Sequence, residues 1–143
     1  MSLAAVEARL ARYSPRPNVR QALAVEGTPI AALLFSRWFF PQFVERDGCI
    51  LNVDRFDDET LAAWRATGAH PSSIEAVINR VRLADEWPND DVPGEIAVEL
   101  VQVLTSTWRA ALDEQFPDRT FVLLAGPEDP PASLTVFQPG SED

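Results

Sequence analysis

The spacing of hydrophobic positions changes character several times along the chain. Leu3, Val6, Leu10 and Tyr13 recur at helical intervals until Pro15 and Pro17 interrupt them, which predicts a first helix with Arg9, Arg12 and Arg16 along a neighbouring flank. A short helix over 18–26 follows, closed by Gly27, whose backbone accepts the left-handed turn of a helix end. Thr28 as N-cap and Pro29 at the first helical position then open a third helix, Ile30 to Phe40. It is apolar nearly all round and is therefore placed at the centre of the fold. Pro41 ends it.

The period then shortens. Asp47-Gly48 sits between two apolar-rich runs, and a two-residue type I′ turn needs positive φ at both positions, so strands are predicted around 43–46 and 49–53. The alternative is a helix that continues through Pro41, leaving only the second strand. From Asp57 the signals turn helical again, with Asp57 as cap, Asp58 and Glu59 in the first turn, Leu61 and Trp64 facing inward and Gly68 at the end. Ser72 and Glu75 read as a capping box ahead of Ile74, Val77, Ile78 and Val81. Glu75, Asn79, Arg82 and Glu86 then fall on a polar stripe of ordinary surface chemistry.

LADEWPNDDVPGE, at 83–95, reads as a long surface loop. A long helix is predicted from about Pro93 to Phe116, with Ile96, Leu100, Val103, Leu104, Trp108, Ala111 and Leu112 in one broad stripe. Thr105, Ser106 and Thr107 interrupt it with hydroxyls able to bond back one turn. TFVLLA (120–125) and SLTVFQ (133–138) make a second hairpin, and 139–143 a frayed tail. The fold class that results is a single α+β domain, four to five helices around the long C-terminal helix at 93–116, with a small antiparallel sheet made of two hairpins.

Composition agrees with a folded chain. At 143 residues and 46% hydrophobic content, one domain with a sizeable core is the expectation. The most apolar window, Ile30 to Phe40, is too short for the roughly 20 residues of a membrane span, so no membrane role is expected. No basic segment precedes an apolar core at the N-terminus, so no secretory signal is read and a cytoplasmic location is expected. All twelve basic residues are Arg, a usage that points to a high-GC bacterial genome and carries no function.

Charge narrows the choice of partner. The net charge is -10, but residues 1–46 hold six Arg against three acids, a balance of +3, while residues 47–143 hold six Arg against nineteen acids, a balance of -13. Such a field repels nucleic acid and favours a protein partner with a basic surface; a homodimer joining the basic to the acidic part is a variant. The leading expectation is accordingly a non-enzymatic protein-interaction module. The alternative is a small-ligand binder or metal-dependent enzyme that uses carboxylates and Arg in a pocket between sheet and helices.

Few residues carry reactive chemistry. One Cys (Cys49) and one His (His70) exclude cysteine zinc clusters and internal disulfides, and no cofactor is expected. Cys49 in an apolar strand reads as a small buried hydrophobe, and His70 before Pro71 as cap or loop material rather than as a base for the thiol. Asp54, Asp57, Asp58 and Glu59 cluster after a strand, but they lack the glycine and third acid of a calcium-binding loop, and a helix N-terminus explains three of the four equally well. The candidate binding residues are Trp87 with Asp90, Asp91 and Glu95 around it, the most acidic stretch of the chain, and Arg37 and Arg80 as anion-holding groups. Asp91 is taken as cap of the long helix. Trp87 either folds back over the core, the favoured role, or stands out as an interface anchor.

Overall fold

A computed structural model describes residues 4–128 and 131–140; Leu3 of the first expected helix and 141–143 of the expected tail lie outside the described residues. The chain divides into two compact units, Met1–Trp38 and Phe39–Asp143.

The first unit carries three helices, α1 (Ala4–Leu10), α2 (Val19–Glu26) and α3 (Pro29–Phe39), the last running to the unit boundary. Polar side chains set their ends. Asn18 accepts from the Gln21 N–H while the Gln21 side chain accepts from the Asn18 N–H, closing a capping box on α2. Thr28 Oγ1 accepts from the Ala31 N–H at 3.1 Å, so the cap read from Thr28-Pro29 is present. The central position expected for α3 is not. None of its residues is buried, and Ile30, Leu33, Leu34 and Phe35 are exposed.

The second unit opens with a hairpin of β1 (Phe43–Arg46) and β2 (Cys49–Asn52), turned by Asp47 (φ 53°) and Gly48 (φ 84°). Both positive φ values are those of the type I′ turn that Asp-Gly favours. Next come α4 (Asp58–Ala66), capped by Asp57, and α5 (Pro71–Ile78). The expected Ser72–Glu75 capping box is absent: α5 starts earlier, at Pro71, and the His70 ring caps it by accepting from the Ser72 N–H at 3.2 Å. Val81 is not on the helix either. It belongs to β3 (Val81–Arg82), which pairs antiparallel with β5 (Ser133–Phe137), itself paired with β4 (Val122–Ala125).

The result is an α+β body with two antiparallel sheets, β1-β2 and β3-β5-β4, the hairpins being kept apart rather than joined edge to edge. What separates them is α5. Glu75, 1% exposed, accepts from the Ile50 N–H (2.7 Å), the Gln138 N–H (3.1 Å) and the Gln138 side-chain amide (2.8 Å). Asn79, one turn on, accepts from the Asn52 N–H (2.9 Å) and donates to Ile50 O (3.0 Å) and Val136 O (3.1 Å). Residues four apart on a helix thus meet residues two apart on β2, and both β2 and the end of β5 beyond its short pairing with β3 find their missing partners in these side chains. The reading of Glu75 and Asn79 as surface residues is therefore corrected, while Arg82 is exposed as expected.

The segment expected as a loop from residue 83 begins with a helical turn, α6 (Leu83–Glu86), because Leu83 is drawn into the core. The long helix α7 (Gly94–Gln115) matches its expected span. Its buried face is Ala97, Val101, Leu104, Trp108, Ala111 and Leu112, so in the first turns the stripe lies one residue away from the Ile96–Leu100 line read from the sequence. Thr105 Oγ1 does bond back to Val101 O, at 2.7 Å. Trp108 meets Phe43 edge to face, with centroids 5.9 Å apart. A second cluster joins Cys49, Leu51, Leu61, Ile74 and Ile78. β5 is central and buried on both faces, so Thr135 lies inside with Leu134 and Val136, and its Oγ1 donates to Ala76 O of α5 at 2.6 Å.

Candidate functional site

The least ordinary surface of the molecule is the apolar one on α2 and α3. On α3, Ile30, Leu33, Leu34 and Arg37 follow at +3, +4 and +7 and lie within a stripe of about 100°. Ile30 is 63% exposed, Leu33 67% and Leu34 65%; Phe35, on the adjoining face, is 44% exposed. On α2, Val19 and Leu23 are four apart, and together with Val25 they are all more than half exposed. Leu10 is the one buried residue among the described residues of this unit.

Polar contacts organise the unit in place of a core. Arg9 donates to both oxygens of Glu26, the Tyr13 hydroxyl donates to the same carboxylate, and Arg16 pairs with Glu7. The Arg9 and Tyr13 hydrogen bonds hold the Glu26 carboxyl well below its usual range, at about 2, so it is ionised at neutral pH. α1 and α2 are tied through these groups, while Val19, Leu23 and Val25 of α2 stay in water and Leu10 of α1 is buried. Apolar side chains exposed along one stripe, as on α3, are the kind of surface that marks an interaction site.

The residues singled out from the sequence are spread over both units. Arg37 is exposed at the end of the α3 stripe. Asp90, Asp91 and Glu95 are exposed beside α6 and the start of α7. Asp91 does not cap α7: the N-cap position is Pro93 and has no side-chain hydrogen bond. Trp87 is half-buried, closes α6 by donating its N–H to Leu83 O, and accepts from the Asp90 N–H at 3.1 Å, between the two roles weighed for it. Arg80 is half-buried at the end of α5 and lines an open depression of about 300 Å³ with Val77, Arg82 and Asp85. None of Asp54, Asp57 or Asp58 lines it.

Those carboxylates have separate duties. Asp57 accepts from the Thr60 N–H at 2.7 Å, and that bond lowers its pKa. Asp58 lines a second depression, about 490 Å³, beside the Asp47–Arg65 ion pair. Among the described residues no three His, Cys, Asp or Glu side chains are grouped to hold a metal ion. Cys49 is buried, and desolvation, followed by the nearby Glu75, pushes its thiol up, away from the thiolate a nucleophile needs. Its Sγ faces Pro71 O at 3.9 Å, while the His70 ring is engaged with Ser72.

Family models, characterised proteins and solved structures offer no match to the chain. Among the described residues no helix is long and apolar enough to cross a membrane.

The sequence reading found Arg37 and the apolar run around it but assigned the run to the interior. The available signal was composition: α3 has one charged residue in eleven, the depletion typical of an interface core as much as of a protein core.

Proposed function

We propose that the protein is a non-enzymatic interaction module that engages a polypeptide presenting an apolar helical face, and that α3 is its contact element. The exposure of Ile30, Leu33 and Leu34 on one stripe carries this reading. Helix-in-groove and helix-on-helix recognition use anchors at this i, i+3, i+4 spacing. The acidic body, with seven Arg against twenty acids from residue 39 onward, disfavours nucleic acid and anionic surfaces as partners. Less supports a small-ligand or metal-dependent activity, since the depressions that hold Arg80 and Asp58 are open and lined mostly by exposed side chains, with Arg80 half-buried and Leu61 buried.

A photo-crosslinking residue placed at Leu34 tests the reading against one at Gln102, an exposed polar position of α7. Adducts confined to position 34, mapped by mass spectrometry to an apolar helical segment, are the expected result. Equal adducts at both positions, or none at 34, overturn it. A second reading, capture of a basic surface by the exposed Asp90, Asp91 and Glu95, differs in its salt response. Raising ionic strength weakens that contact and leaves apolar docking on α3 intact.

A further inference from the structure

The second unit spends most of its arginines on its own acids. Arg55 pairs with Glu86, Arg65 with Asp47 and Arg119 with Glu45, while Arg46 donates to Glu45 O. Arg80 and Arg82 are different. They flank the fully buried Val81 at the exit of α5, line one depression of about 300 Å³ together with Val77 and Asp85, and make no hydrogen bond or ion pair among the described residues. We propose that these two guanidinium groups bind a single phosphate group, carried on a small organic ester whose apolar part lies over Val77. The proposal is independent of the docking role of α3.

Position is the first argument. Arg80 is half-buried, and its Nη1 lies 3.6 Å from the point that a Cβ on the buried Gly126 would occupy, so its head is laid against the bare backbone at the end of β4. A guanidinium placed in this way has already lost much of its freedom and still offers donors. The carboxylate whose charge it feels, Glu128, accepts instead from the Ser133 hydroxyl at 3.0 Å. Arg82, two residues on, brings a second fork of donors to the same depression. Paired planar forks match the oxygens of a phosphate better than point charges do.

Shape and charge narrow the ligand. An open depression cannot enclose a whole small molecule, but it can hold one anionic group while the rest of the molecule lies along its wall. Val77, 49% exposed, supplies an apolar wall. Two Arg against Asp85 leave one net positive charge on the lining, inside a chain whose total is -10. The total acts at long range and is screened beyond about 8–10 Å, whereas the guanidinium groups act at hydrogen-bond contact, where the local charge decides. Asp85 is the one lining group that opposes an anion, so its removal should improve binding.

The test titrates the isotope-labelled full chain with inorganic phosphate and with phenyl phosphate, at ionic strength held constant by sodium chloride, and follows the Arg Nε–H resonances. Saturable movement of Arg80 and Arg82 is expected, with dissociation constants on the order of 1 mM and tighter binding of phenyl phosphate. Affinity should fall several-fold below about pH 6, where the phosphate loses its second charge. Arg80→Gln should weaken binding at least 10-fold, and Asp85→Asn, at an exposed position, should tighten it several-fold, a gain that no folding defect imitates. Equal affinities for the two probes support the same site with free phosphate as its ligand. Movement no larger than chloride alone produces, equal movement of the exposed Arg109 on α7, or an Asp85→Asn variant that binds no better than the parent overturns the proposal.

Discussion

Replacing Glu75 by alanine is expected to cost the second unit about 3–5 kcal/mol, most of the stability of a small domain. The side chain is fully enclosed and accepts three hydrogen bonds, two from backbone N–H groups that have no other partner shown, Ile50 and Gln138. Alanine leaves the buried Ile50 N–H unsatisfied at about 1–3 kcal/mol, strips the part-buried Gln138 N–H of its acceptor and opens a void where the enclosed side chain was. Glu75→Gln separates the hydrogen-bond account from simple volume. It keeps the size but turns an amide NH₂ toward donors, so it should recover less than half of the loss. Gln138→Ala, which removes one donor and leaves the acceptor with others, should cost only about 1 kcal/mol. Urea denaturation of the three variants orders them, and a Glu75→Gln variant as stable as the parent would mean that the Ile50 and Gln138 N–H groups find other acceptors.

Trp108→Ala is the second large effect. Trp108 has no exposed surface, lies at the middle of the buried face of α7 and meets Phe43 of β1 at an interplanar angle of 81°. Removing it is expected to destabilise by about 3–5 kcal/mol through lost burial and the cavity left behind. Phe43→Leu should cost less, and a double-mutant cycle between the two sites should return a coupling of about 0.5–1.5 kcal/mol, the part owed to edge-to-face geometry. The hairpin β1–β2 reaches α7 through this pair and through Gln115, whose side chain accepts from the Phe43 N–H (2.7 Å) and donates to Pro41 O (2.9 Å). Coupling near zero would show that Trp108 acts through neighbours other than Phe43.

The parts of the fold that were legible in the sequence are those decided within a few residues. Asp47-Gly48 specifies its turn because both residues adopt positive φ readily, and Thr28 and Asp57 cap their helices with side chains that reach only three residues ahead. The span of α7 was legible because its apolar period persists for six turns. What failed depends on distant partners. Ser72-x-x-Glu75 has the letters of a capping box, but Glu75 finds backbone donors 25 and 63 residues away, and His70 takes over the cap. Val81 continues the helical period of α5, yet pairing with Leu134 makes it strand.

The reading of α3 failed for a different reason. An all-round apolar helix says that its surface is to be covered, and nothing in the residues says by which chain. The same ambiguity explains why Trp87, Asp90, Asp91 and Glu95 drew attention as the charged feature of the sequence while the less charged surface of α3 turned out to be the unusual one in space. The acidic residues are spread over exposed turns and a helix start, as solvated charges commonly are.

Side-chain footprinting tests the cover of α3 most directly. Hydroxyl radicals mark aliphatic and aromatic groups according to their access to water, and Val77 and Leu124 are internal references on the second unit, 49% and 51% exposed. Leu33 and Leu34 are more open than either reference within the single chain. The expected result is labelling of Leu33 and Leu34 above Val77 and Leu124 in the purified chain, and several-fold below them in cell extract, where the partner is present. Labelling of Leu33 and Leu34 at or above the reference rates in cell extract as well would contradict a docking role for α3, because the face would then be bare where its partner is present.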